Sequence, residues 1–238
     1  MSFTRNAREQ AEAARTFYSG SEILRNNLGI KDARILEQAE RLITQRQSEK
    51  PLSAKATEMT YDGFKAIHAH LFGELYSWAG QERKYTTGRG PAPFAPPEQI
   101  SPWMEKRFQK LKQEKFLKGL TKDQFAKRAA EHVNEINAAH PFIDGNGRTQ
   151  RAWLRLVADK AGYEFKLSSK DGKAWNAASK AGFEKVDHKP MAALIKANLT
   201  QRSRVKSQQK ETLSRKAGKA SKALKQFRAT DKTHDRGR

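Results

Sequence analysis

Residues 140–151 read HPFIDGNGRTQR. Pro141 disfavours helical geometry in the residue before it, so a helix arriving from the N-terminal side ends at His140. Gly145 and Gly147 then open a bend, because glycine enters the left-handed region freely and hangs no side chain over its N–H. A second helix starts at about Arg148, with the positive end of its dipole aimed back at the bend. Helix, narrow bend, helix: this stretch predicts a helical protein with a chemically loaded turn at its centre.

Outward from the bend, the helical period dominates. Lys31–Gln47 places Ile35, Leu36, Ala39, Leu42 and Ile43 on one face. From Thr60 onward, Phe64, Ile67, His68 and Leu71 make a second buried stripe, and Met104, Phe108, Leu111 and Phe116 make a third over Pro102–Phe116. Thr121 with Gln124 forms a capping-box signature, and Phe125, Ala129, Val133, Ile136 and Ala139 line one side of the helix that follows. Arg148–Ala161 and Pro190–Leu199 are two further helices. One region departs from the rule. Arg83–Gln99 (RKYTTGRGPAPFAPPEQ) is too rich in Gly and Pro for a helix; Lys84–Thr87 suits a short strand and Gly88-Arg89-Gly90 a turn, hence a small hairpin or flap.

Bulk composition narrows the function classes. Of the 238 residues, 37% are apolar and 31% charged, which suits one real core under a heavily solvated surface. No run approaches the roughly 18 apolar residues of a membrane span, and the N-terminus lacks the apolar block of a secretory signal. With no cysteine there is neither a disulfide framework nor a thiolate metal site, in keeping with a cytoplasmic location. The net charge of +21 is uneven. Residues 201–238 hold 13 Lys and Arg against three acids, so they read as a basic tail, flexible or partly helical, following a body of residues 1–200. Such a tail suits nucleic acid or another polyanion.

The bend carries the chemistry. His140 offers an imidazole at a helix rim, the side chain whose ordinary pKa suits proton abstraction near neutrality. The uncovered N–H groups at Gly145, Asn146 and Gly147 make an anion nest on a helix N-terminus. Arg148 and Arg151, three residues apart, add two guanidinium groups for more than one phosphate. Asp144 is a carboxylate where anions are meant to bind. A magnesium ion resolves that conflict, since it bridges one carboxylate to phosphate oxygens and keeps several waters. Base, metal ligand, oxyanion cradle and phosphate clamp are the parts needed to move a phosphoryl or nucleotidyl group onto a hydroxyl. Phe142 anchors the loop to the core.

These residues resemble the signature of the Fic family, His-x-Phe-x-Asp/Glu-Gly-Asn-Gly-Arg-x-x-Arg. His140, Phe142, Asp144, Gly145, Asn146, Gly147, Arg148 and Arg151 match it at every fixed position. Likeness extends over about residues 20–200, through Leu28–Asp32, Leu71–Gly73, Tyr76–Gly80 and Glu135–Ala139. The resemblance implies a mostly helical domain with a short β-hairpin flap. It also implies transfer of AMP from ATP to a protein hydroxyl with release of pyrophosphate. In that scheme His140 takes the proton of a target Tyr, Ser or Thr, and Asp144 holds Mg2+ against the α- and β-phosphates. The amides of Gly145, Asn146 and Gly147, with the Asn146 side chain, cradle phosphate, and Arg148 and Arg151 hold the distal phosphates. The flap at about Lys84–Phe94, chiefly Lys84, Tyr85, Thr86, Thr87 and Gly88, pairs with an extended target segment through its main chain.

Two details refine what the resemblance implies. The kinase branch, similar to the Doc toxins, has lysine where this chain has Gly147, so Gly147 points to nucleotidyl transfer. Many relatives silence themselves with a helix bearing Ser/Thr-x-x-x-Glu-Gly/Asn, yet no glutamate here is followed by Gly or Asn. By resemblance to the toxin–antitoxin members, a small separate antitoxin would supply that helix, and a type II topoisomerase subunit is a candidate target. Two other readings stay open: a basic protein that binds nucleic acid, and nucleotidyl transfer from a donor other than ATP.

Overall fold

In the computed structural model, the described residues are 5–202, apart from 91 and 169; the predicted basic tail lies outside them from residue 203 on. Up to Leu199 the chain forms one compact unit. Among the described residues there are eight α-helices: α1 (Ala7–Thr16), α2 (Ala33–Glu49), α3 (Tyr61–Phe72), α4 (Pro97–Gln113), α5 (Lys122–Ala139), α6 (Asn146–Lys160), α7 (Asp171–Lys185) and α8 (Lys189–Ala197). None is long and apolar enough to cross a membrane.

α5 is the axle, packed against α4, α6, α7 and α8. Its start is set by the Thr121–Gln124 capping box, in which the Thr121 side chain accepts the Gln124 N–H and the Gln124 side chain answers to the Thr121 N–H. The predicted stripe of Phe125, Ala129, Val133, Ile136 and Ala139 is buried along its length. α3 begins at Thr60, whose hydroxyl accepts the Gly63 N–H, and buries Phe64, Ile67, His68 and Leu71 as the period predicts. Its rings join Phe108, Phe142 and Trp153 in an aromatic cluster under the bend.

Several expectations need correction. On α2, Ile35 and Leu42 are exposed, while Leu36, Thr44 and Gln47 are buried. The helix is turned because Glu40 reaches inward to Tyr76 and Arg148, so polar pairing rather than the apolar stripe sets its face. α4 starts at Pro97, which suits a first helical turn, keeps Pro102 inside, and ends before Phe116. α6 starts at Asn146, two residues earlier than predicted. Neither α1 nor α7 was predicted. α1 buries only Ala13 and Thr16 and so shows no apolar period. α7 buries one large side chain, Trp175, and then the small Ala178, Ser179 and Gly182, a stripe too poor in large apolar residues to stand out. At Gly182 an added Cβ would lie 2.3 Å from the Asn134 side chain, which is how closely α7 approaches α5.

The flap is a hairpin of β1 (Gly88–Arg89) and β2 (Ala92–Pro93), antiparallel with Gly88 opposite Pro93 and Arg89 opposite Ala92. The predicted strand at Lys84–Thr87 is not one, and Gly88 and Arg89 of the predicted turn belong to β1, the turn starting only at Gly90.

Candidate active site

His140 caps the C-terminus of α5 in the left-handed conformation (φ 45°), with its N–H donating to the Ile136 carbonyl. That geometry swings the ring off the helix. Its Nδ1 lies 3.3 Å from the Asn137 carbonyl, so the neutral imidazole carries its proton there and leaves the Nε2 lone pair free. Phe94 stacks flat on the ring at 3.8 Å and 2°. Burial, helped by the Arg83 and Arg89 cations, pushes the imidazole pKa down to about 3, so the ring is in its base form at neutral pH.

The bend is pinned from within at Phe142, Asp144 and Gly145. The Asn146 side chain accepts the Phe142 N–H at 3.0 Å and donates to the Phe142 carbonyl at 2.8 Å. Both amide atoms being engaged, it offers an anion its backbone N–H rather than the predicted side chain. His68 lies below. Its Nδ1 accepts the Gly80 N–H, which fixes the tautomer, so its Nε2–H donates to the Asp144 carbonyl at 2.9 Å. Burial lowers its pKa to about 4 and keeps it neutral, stacked on Phe142 at 3.9 Å. Gly145 (φ 79°) precedes α6, and a Cβ there would lie 2.4 Å from the Phe72 ring and 3.1 Å from His68. Glycine is therefore required twice, for its dihedral and for its space. At Gly147 the nearest atom to an added Cβ is Arg151 Nη1, at 3.4 Å. The first N–H groups of α6 have no intrahelical acceptor and face out of this bend.

The two arginines diverge. Arg148 donates to the Glu40 carboxylate at 2.5 Å, lies 3.6 Å from Asp144 and rests over the Phe72 ring at 4.6 Å. Arg151 has no carboxylate among the described residues; it is half-buried over Trp175, 5.7 Å from that ring. Burial and the neighbouring Arg148 and Arg155 lower its pKa to about 10, which still leaves it charged. Asp144 is half-exposed, with one oxygen accepting the Gly145 N–H at 2.6 Å. No group of three or more His, Cys, Asp or Glu able to hold a metal exists among the described residues. A cation at Asp144 would thus take its other ligands from phosphate and water, which fits Mg2+.

The flap root is as constrained as the bend. Thr86 donates its N–H and hydroxyl to Glu9 at 2.7 and 2.6 Å, and its carbonyl accepts from Arg5 Nε at 2.8 Å. Tyr85 is buried under the Arg5 guanidinium. The predicted docking edge at Lys84–Thr87 is therefore already covered at Tyr85 and Thr86, by Arg5 and by Glu9 of α1. Phe94 N–H bonds to Thr87 O, making those two a hydrogen-bonded pair, so alternation turns the Gly88 N–H and carbonyl outward. The free edge begins at Gly88.

Sequence reasoning missed Arg83, Glu40 and Phe94 as parts of the site, and took His68 for core alone. Arg83 sits in a polar run, QERKY, that looks like solvated surface. Only Phe94 carried a signal, as one of two aromatics, with Tyr85, in a Gly/Pro loop.

The profile of the Fic/DOC family matches residues 58–158. The probable protein adenylyltransferase y4lH of Sinorhizobium fredii is 35% identical over 180 residues, covering 75% of this chain and 92% of that protein. Protein adenylyltransferase VbhT of Bartonella schoenbuchensis is 34% identical over 180 residues; the match spans 75% of this chain and 37% of the longer VbhT. Among solved structures, the N-terminal Fic domain of a putative cell filamentation protein from Bartonella quintana, with bound ADP, superposes with a TM-score of 0.70. It is 27% identical and covers 79% of this chain and 95% of that one.

Proposed function

This chain belongs to the Fic/DOC family, and on that premise we propose that it is a protein adenylyltransferase that moves AMP from ATP to a hydroxyl of a target protein. The observation that carries the reading is a neutral imidazole with a free Nε2, at the head of a bend whose amides, Arg151 and Asp144 are disposed for a triphosphate.

Nε2 of His140 takes the proton of the target hydroxyl, and the oxygen attacks the α-phosphorus of ATP. The bond from that phosphorus to the bridging oxygen breaks, pyrophosphate leaves, and AMP remains on the target as a phosphodiester. The N–H groups of Asn146 and Gly147, at the head of α6, bind phosphate oxygens with the helix dipole behind them. Arg151 receives a distal phosphate. Arg148, engaged with Glu40 and Asp144, orients the carboxylate rather than closing on phosphate. Asp144 would hold Mg2+, which supplies charge neutralisation of the triphosphate. The flap aligns the target from Gly88 onward by main-chain pairing.

The finer readings follow the same line. A separate antitoxin would silence the enzyme through a carboxylate at Arg151, since no glutamate in the sequence carries the self-inhibitory pattern. The enzyme would work in the cytoplasm on a bacterial protein, a type II topoisomerase subunit being the first to try. With Mg2+ and bacterial lysate, label from α-labelled ATP should appear on protein and label from γ-labelled ATP should not. His140→Ala should abolish transfer with nucleotide affinity within about threefold of wild type. Label arriving from the γ position instead, or an active His140→Ala, would overturn the assignment. Comparing ATP with GTP, CTP and UTP decides the donor.

A further inference from the structure

Arg83 is 1% exposed, and none of its bonds is to a carboxylate. A buried guanidinium needs acceptors for its N–H groups, and a lone buried charge is costly without them. Here the acceptors are four backbone carbonyls. Nε donates to His140 O at 2.7 Å, Nη1 to Tyr85 O at 2.8 Å, and Nη2 to Ala139 O at 3.1 Å and to Ala95 O. Ala139 is the last residue of α5 and His140 its cap, where carbonyls lack helical partners and the dipole is negative. Tyr85 and Ala95 are the two limbs of the flap. The main chain repeats the tie, from Arg83 N–H to Pro141 O at 2.8 Å and from Ala95 N–H to Ala138 O at 3.1 Å.

We propose that Arg83 is a positioning residue that couples the target-docking flap to the catalytic ring, holding both flap limbs and the end of α5 on one rigid fork. The functional meaning rests on His140 being the base. Its charge has a second consequence. The charges acting on the ring are Arg83 and, from β1, Arg89, opposed by the Asn137 carbonyl, with apolar Phe94 across the ring face. Arg83 thus helps hold the imidazole neutral while the same fork keeps Phe94, the residue before Ala95, stacked on it. A flap displaced from its limbs would lose that stack, so flap position and base geometry move together.

Two variants of the full chain separate the fork from the charge. Arg83→Lys keeps a cation but cannot reach four carbonyls in one plane; Arg83→Met keeps bulk and loses both. Without nucleotide, amide exchange over residues 84–95 should rise about tenfold or more in both variants relative to wild type. Burial is the main cause of the lowered His140 pKa. The ring, followed by NMR from pH 8 down to about 3, should therefore take up its proton at a higher pH in Arg83→Met than in wild type or Arg83→Lys, without reaching its ordinary value. Label transfer should fall in both. Wild-type exchange and transfer in Arg83→Lys would overturn the coupling; an unchanged ring titration in folded Arg83→Met would overturn the electrostatic part. Should Arg83→Met not fold, Arg83→Lys alone decides the coupling. Ring titration and exchange are read without transfer, so their failure is distinct from failure of the adenylyltransferase reading.

Discussion

The bend at residues 139–147 and the flap at 84–95 lie against each other and are stabilised in opposite ways. In the bend, side chains hold backbone: Asn146 grips both polar groups of Phe142, His68 grips the Asp144 carbonyl, and Phe142 is buried. In the flap, the roots are held by Arg83, Arg5 and Glu9, while the outer edge from Gly88 has two short strands and little else. The difference follows from the tasks. A cradle for phosphate must present N–H groups at fixed positions before the ligand arrives, so every competing freedom is removed. An edge that pairs with another chain must keep main-chain groups unpaired, so it can be anchored only at its base.

The sharpest way to break the comparison is on the over-constrained side. Gly145→Ala places a methyl against the Phe72 ring and asks alanine for φ 79°. Strain and overpacking together should cost about 2–4 kcal/mol of stability. Displacing the head of α6 should cut transfer on the order of a hundredfold or more. Chemical denaturation and label transfer measure the two. An active, equally stable Gly145→Ala would show that the bend is looser than its contacts.

Next in size is the pair of arginines. Arg151→Ala should weaken ATP binding about 10- to 100-fold, the range of one charge-assisted contact, with stability little changed. Arg148→Ala should do the reverse, because it leaves the largely buried Glu40 carboxylate with the Tyr76 hydroxyl but no cation. Its main cost is stability, about 1–3 kcal/mol. Isothermal titration with a non-hydrolysable ATP analogue, alongside melting, separates the two; equal losses of affinity would restore the two-arginine clamp that the i, i+3 spacing suggested.

What could be read from the sequence divides along the same line. The bend was legible because its determinants are local: Pro141 stops α5, the glycines open the turn, and the Thr121–Gln124 box starts the helix that leads there. The flap was legible as a break in helicity and as a small hairpin, but not in its register. Its register depended on Arg5 and Glu9, some eighty residues away in sequence, taking the edge at Thr86, and no local pattern encodes that. α2 misled for a related reason. Ile35 and Leu42 complete a plausible apolar stripe, but Glu40 must face inward to meet Arg148 and Tyr76, so the stripe is turned to solvent. Arg83 is the limiting case. A buried arginine bonded only to carbonyls leaves no partner residue for a sequence reader to find.

The smallest predicted effect tests the flap's outer tie. The Glu9 carboxyl is held below its usual range, first by the Thr86 hydroxyl, with help from the Asn6 and Thr86 N–H groups and Arg5. A carboxyl whose folded pKa is depressed contributes fully above its unfolded value, near 4.3, and loses the contribution as pH falls through the folded one. Glu9→Ala should therefore speed amide exchange at Thr86 about threefold to tenfold at pH 7, and by the same factor at pH 5 after correction for intrinsic rates. The two proteins should converge only below about pH 4. Transfer should change by less than about threefold, because Arg83 still holds both limbs. If the variants already exchange alike at pH 5, the ionised carboxylate is not what closes the edge at Thr86, and the free edge of the flap would begin there rather than at Gly88.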